Sequence, residues 1–326
     1  MTHDAVVIGA GPNGLAAAIE LQRGGVDVLL VDANDVVGGA ARTEEATLPG
    51  FLHDIGSAVY PLGIGSPFFS SLPLEAHGLE GVHPTVPLAH PLAGRRTATL
   101  HSDLVETASH LGEDQARYQR TFEPFVSRWG AFVRQMLASP FNPPRDPALA
   151  LRLAPWALRG TTRLASAFRT EEARALLAGN AAHAGTPLDH ALTGAVAVTL
   201  MAAGHAKGWP IPRGGAGRLT GALADHFRSL GGTIETGRRI SSMGDVPSAR
   251  ALVFATGFPG LARIAGNALP SRYRRAAERW RYGPGAFKVD WALDAPIPWS
   301  DPAVSRAGTV HVGGTFDEVV ALSLIH

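Results

Sequence analysis

The chain has 326 residues, 45% of them hydrophobic, enough for a substantial core and about two domains at ~150 residues each. Its 29 lysines and arginines against 28 aspartates and glutamates leave a formal charge of +1, so nothing global selects nucleic acid or an anionic membrane as the main partner. With no cysteine, the chain cannot carry a disulfide, a cysteine-based zinc site, an iron–sulfur cluster or a thiol nucleophile.

Asp4–Ile8 is a short apolar, β-branched run that predicts a buried strand, and it leads into Gly9-Ala-Gly11-Pro12-Asn13-Gly14. Leu15–Arg23 follows as a run of strong helix formers closed by Gly24-Gly25. Val26–Val31 reads as a second strand, ending in Asp32 and Ala33. The whole is a β-α-β unit of about 30 residues, the setting in which G-x-G-x-x-G binds a dinucleotide. Gly9 would permit the tight turn, Gly11 would leave room for a pyrophosphate, and Gly14 would let the helix approach the sheet. The helix N-terminus would face the phosphates. Asp32 would accept hydrogen bonds from both hydroxyls of the adenosine ribose, which disfavours a 2′-phosphate and hence NADP. Beyond it, Gly38-Gly39 and Arg42 suit an extended FAD, whose pyrophosphate and ribityl chain would run along bare backbone toward a fixed guanidinium. A strand beginning by Asp4 leaves no room for a signal or transit peptide, so the expected address is the cytoplasm.

Residues 1–60 are thus expected to open a dinucleotide-binding domain. From 61 to 206 the composition turns alanine-, leucine- and arginine-rich, with Phe122, Phe125, Trp129, Phe132 and Met136 at helical spacings and prolines at 140, 143, 144, 147 and 155 as breaks. This predicts a mainly helical substrate domain. No run reaches the ~18 apolar residues of a membrane span. Ala191–Ala203 comes nearest and, with Thr193 and Thr199 inside it, reads as a buried helix. His77, His83 and His90 fall in a predicted proline- and glycine-rich loop; without a His-x-x-x-His pair on a helix, no metal site is expected.

Residues 207–262 are expected to return to the first domain. Leu219, Leu223, Phe227 and Leu230 share one helical face, Gly231-Gly232 ends that helix, and Thr233–Thr236, Arg239-Ile240 and Ala251–Gly257 read as strands. The glycine loop at 214–217 lacks the Gly-Lys-Ser/Thr of a nucleoside-triphosphate loop, and no Gly-x-Ser-x-Gly elbow supports a hydrolase. In 263–326, assigned to incomplete strands of the substrate domain, the basic run Ser271–Arg281 reads as a solvated helix face. Phe287, Val289, Trp291 and Leu293 alternate with Lys288 and Asp290 as in a half-buried strand.

These residues carry a resemblance. Gly9–Gly14, Asp32 and Gly38-Gly39-Ala-Ala-Arg42 resemble the FAD-binding signature of the flavin amine oxidase and phytoene desaturase superfamily. Gly208–Gly217, Tyr282–Leu293 with Pro296–Trp299, and His311–Gly314 resemble its phytoene-desaturase-like branch, and the likeness runs over nearly the whole chain. It implies an α/β fold: a Rossmann-type FAD-binding domain with a parallel sheet drawn from discontinuous segments, plus a mixed helical and antiparallel substrate domain. It implies FAD as cofactor, adenine touched by the backbone of Ile240, and Ala255, Thr256 and Gly257 beside the cofactor. It also implies Lys288 as a catalytic lysine that holds a water at flavin N5, its charge stabilising the reduced ring. The expected reaction is hydride abstraction from a C–H bond of an apolar, carotenoid-like or amine small molecule, with peripheral membrane contact left open and no oligomeric state fixed. Two other readings remain: a non-redox flavoenzyme such as an isomerase, and a non-catalytic FAD-binding fragment. Proteins of this branch run well past Gly314 to a late glycine-rich segment over the flavin. The chain is therefore expected to be truncated at its C-terminus, with open sheet edges and an uncovered apolar face.

Overall fold

A computed structural model describes residues 2–139 and 141–324. Strand β1 (His3–Ile8) runs into helix α1 (Pro12–Arg23) and returns as β2 (Val28–Val31). A two-residue antiparallel pair, Thr43–Glu44 with His53–Asp54, precedes the hairpin of β3 (Val86–Leu92) and β4 (Arg96–Leu100). Helices then dominate, among them α2 (Gln115–Val126), α3 (Glu171–Ala182) and α4 (Thr193–Lys207). Helix α5 (Ala216–Ser229), strands β5 (Thr233–Glu235) and β6 (Ala249–Phe254) and helix α6 (Phe258–Ala265) rejoin the amino-terminal unit. Strand β7 (Ala307–Val310) and helix α7 (Phe316–Ser323) rejoin the hairpin.

The first sheet is wholly parallel, in the order β6-β1-β2-β5. One row of it reads Val253, Val7, Leu30, Ile234 across four strands. Parallel strands need helical crossovers that cover both faces, so their residues are apolar on both sides. Ala5 and Val7 pack with Leu15 and Ile19 of α1 and Leu219, Leu223 and Phe227 of α5. Val6 and Ile8 point the other way, toward Ile240 and Ile264. Two strand pairs about two hundred residues apart in sequence thus make one layered unit, the discontinuous α/β arrangement expected.

The second core is helical. Tyr118, Phe122, Phe125 and Phe132 are fully buried around α4, most of whose residues are themselves buried, as an apolar run without a polar face requires. Beside it lies a three-stranded sheet, β7-β3-β4, antiparallel within the hairpin and parallel where β7 joins.

Three expectations are corrected. Phe287–Leu293 is not a strand: it runs as irregular chain without a ladder, leaving Phe287 94% and Trp291 72% exposed. Alternation selects a strand only where a neighbour takes up the backbone groups, and none does so here among the described residues. Arg239-Ile240 is also irregular, because the N–H of Arg238 donates to the carbonyl of Asp32 and draws the chain across the end of β2. His90 is no loop residue; it lies fully buried in β3, which forms between two neighbours despite Pro87 and Pro91.

Candidate functional site

The amino-terminal turn is built by close approach. Gly9 has φ +106°, and a Cβ there would meet the Ala255 carbonyl oxygen at 2.9 Å. At Gly14 a Cβ would lie 1.7 Å from the Gly9 oxygen, so α1 can dock at the end of β1 only with glycine at this position. Gly11 caps the helix, Pro12 fills its first position without wasting an N–H, and Asn13 is exposed in its first turn. The N–H of Gly38 donates to the Ala10 carbonyl at 2.8 Å, and a Cβ on Gly39 would stand 3.2 Å from the Gly11 Cα. The second glycine pair is therefore laid against the first turn, backbone to backbone.

Asp32 ends β2 with 7% of its surface exposed. Its Oδ2 accepts from the Ala10 N–H at 2.6 Å, and its Oδ1 accepts from the backbone N–H and side-chain Nδ2 of Asn34 at 2.8 and 2.9 Å. The carboxylate is thus fixed at the carboxyl ends of the strands, where ligands of open α/β sheets bind. A cleft of about 210 Å3 opens there, lined by Gly9, Asp32, Ala33, Ile240 and Thr256 together with Arg239 and Arg263. Neither guanidinium forms an ion pair among the described residues, whereas Arg238 at the same rim is paired with Glu235. A carboxylate able to accept from hydroxyls and guanidinium groups able to meet phosphate or an aromatic face suit an adenosine diphosphate.

Of the other expected residues, Ala255 and Gly257 adjoin Thr256 of the cleft, while Arg42 and Lys288 lie outside its lining. Ala255 underlies Gly9, its N–H donating to Ile8 at 2.9 Å, and Gly257 caps α6 with the Tyr282 hydroxyl leaning against it. Arg42 is turned to Glu44, 3.3 Å away, while its Nε is buried without a partner, a donor available to an anionic group. Lys288 pairs with Asp290, whose Oδ1 lies 3.5 Å from His53 Nδ1. His53 adjoins Asp54, which accepts from Thr43 Oγ1 at 2.6 Å and from the Ala216 N–H at 2.7 Å. The lysine is tied in this way to the hairpin that follows Arg42. Sequence reading missed Asn34, Arg239 and Arg263. Asn34 had a signal, the i to i+2 spacing of an Asx turn from Asp32; the arginines had none, since only the return of the chain brings them to β2.

Residues 7–70 match the family described as an NAD(P)-binding Rossmann-like domain. Over 79 residues, 24% of this chain, the protein is 48% identical to rat (Rattus norvegicus) pyridine nucleotide-disulfide oxidoreductase domain-containing protein 2, of which it covers 13%. Over 252 residues, 73% of this chain, it is 29% identical to phytoene dehydrogenase of Streptomyces griseus, covering 48% of that protein. The resemblance read from the motifs holds. A solved structure of putrescine oxidase bound to putrescine shares the fold, with a TM-score of 0.56 over 85% of this chain and 63% of that one at 19% identity. The chain therefore spans at most about half the length of these curated relatives. Without cysteine, the "disulfide" in the rat protein's name describes no chemistry of this chain.

Proposed function

We propose that the protein is an FAD-dependent oxidoreductase of the phytoene-desaturase-like kind, acting on a small apolar or amine molecule. The observation that carries this is the buried Asp32 carboxylate, fixed by Ala10 and Asn34 at the mouth of the cleft where the ribose of an adenine dinucleotide would lie. Gly11 and Gly39, packed backbone to backbone, would present a surface free of side chains to the diphosphate, the first turn of α1 would offer it free N–H groups, and the unpaired Arg42 Nε would face its charge. Thr256 and the backbone of Ile240 would close on the adenine side, beside Arg239 and Arg263. When bound, FAD supplies the hydride acceptor. Lys288, steadied by Asp290 and His53, would hold a water and lend positive charge near the hairpin beyond Arg42.

The test is anaerobic flavin reduction by candidate apolar and amine donors, followed by absorbance. The reading expects bleaching with a donor, slowed roughly tenfold or more in Lys288→Met with cofactor still bound. Equal rates in that variant would remove Lys288 from the chemistry. An FAD-loaded protein that no donor reduces would leave a binding protein only.

A further inference from the structure

Between α3, β7 and α7 lies an open-sided pocket of about 620 Å3. Its walls are Ala182, Val312, Val319, Leu322 and glycine backbone, and its polar side chains are His90, His183, His311, Thr186 and Ser323. No carboxylate, ammonium or guanidinium lines it among the described residues.

The imidazoles are wired in a definite way. The Gly314 carbonyl can only accept, so His90 Nε2, 2.7 Å away, carries the ring proton. His90 Nδ1 is then a bare lone pair, buried without a partner, and His311 Nδ1 is likewise unpaired. Both atoms converge on Gly179, where a Cβ would stand 2.9 Å from the first and 2.5 Å from the second. His183 and His311 meet through their Nε2 atoms at 3.0 Å, so one ring donates and the other accepts. Burial holds all three below the ordinary histidine range, His311 at about 3, and the cluster is uncharged near neutrality.

His183 also walls a second cavity of about 270 Å3, shared with Tyr60 and Trp209. Tyr60 accepts from and donates to Ser57, whose own N–H bonds the Ala40 carbonyl in the loop between Gly39 and Arg42. This second cavity thus separates the histidines from residues hydrogen-bonded to the loop between Gly39 and Arg42.

We propose that this pocket binds a neutral, mainly apolar molecule bearing one hydroxyl group, which His183 and His311 hold. An ammonium would find no counter-charge and a carboxylate no cation, and either would lose its hydration on entry. A hydroxyl both donates and accepts, so by entering between the two Nε2 atoms it can replace their direct bond whichever ring carries the proton. As a substrate pocket this rests on the oxidoreductase reading; as a binding pocket it does not.

The test uses the whole chain with 15N-labelled histidine, titrated with 1-octanol, octylamine and octanoate, molecules of one chain length and three charges. Octanol should move the His183 and His311 ring resonances saturably, with the amine and the acid binding at least tenfold more weakly. His183→Leu should weaken octanol at least fivefold. Equal or tighter binding of octylamine or octanoate, or shifts that spare His183 and His311, would overturn the proposal. Should His183→Leu fail to fold, the three-ligand comparison on the unaltered chain decides alone. FAD binding is measured on the same samples: its absence beside intact octanol binding counts against the cofactor reading only.

Discussion

At Gly14 the backbone of α1 comes within a methyl radius of the Gly9 carbonyl, and at Asp32 a carboxylate accepts three N–H groups in a nearly closed site. The two residues act differently. Gly14 governs whether helix and strand can meet at all; Asp32 sets a fixed carboxylate in the resulting cleft. Gly14→Ala would put its Cβ 1.7 Å from an oxygen that belongs to backbone and cannot rotate away. We expect it to destabilise the fold by about 3 kcal/mol or more, read from urea unfolding followed by circular dichroism. A loss under ~0.5 kcal/mol would mean that the helix does not dock this closely. Both residues were legible in the sequence, because a glycine spacing and an acidic strand end are local marks of a local geometry. Arg42 was only half legible: its position was read, but its engagement with Glu44 depends on how the hairpin folds.

At the scale of elements, α4 is joined to α2 and β4 by a buried polar thread inside the helical core. His205 Nδ1 donates to the His101 carbonyl at 2.9 Å, which leaves Nε2 to accept from the Tyr118 hydroxyl at 2.8 Å. Burial, outweighing the bonds to backbone, brings the His205 imidazole down to about 4 from the ordinary 6.5. The unfolded chain therefore takes up a proton below about pH 6.5 that the folded chain refuses until about pH 4. Stability is full above the upper value and falls through that window, by about 3 kcal/mol for this residue; His311, held at about 3, extends the loss in the same sense. Thermal unfolding midpoints should drop between pH 7 and 4.5, and less steeply in His205→Gln, whose amide can keep both bonds without titrating. An unchanged profile in that variant would contradict the assignment. Helix α4 itself was readable from its unbroken apolar run. The strand expected at Phe287–Leu293 was not realised, because alternation records a preference for a pleated surface and says nothing of whether a partner strand is present.

The whole molecule depends on the chain's return. Strands from residues 3–8 and 28–31 pair with each other and acquire their outer neighbours only from 233–235 and 249–254, more than two hundred residues later. That return brings Ile240, Thr256, Arg239 and Arg263 to Asp32, so the first half of the cleft is written in one motif and the second half in tertiary structure. It also leaves Tyr282, Phe287 and Trp291 on the surface, an apolar stretch that neither core absorbs. We propose that this composite cleft holds the adenosine diphosphate of a flavin dinucleotide, gripped through Asp32. Isothermal titration of FAD into the purified chain, repeated with Asp32→Ala and with ADP as competitor, tests it most directly. One FAD should bind per chain, displaced by ADP and weakened about tenfold or more in the variant. FAD binding that ADP leaves untouched and Asp32→Ala does not weaken, or no binding of either nucleotide, would contradict it.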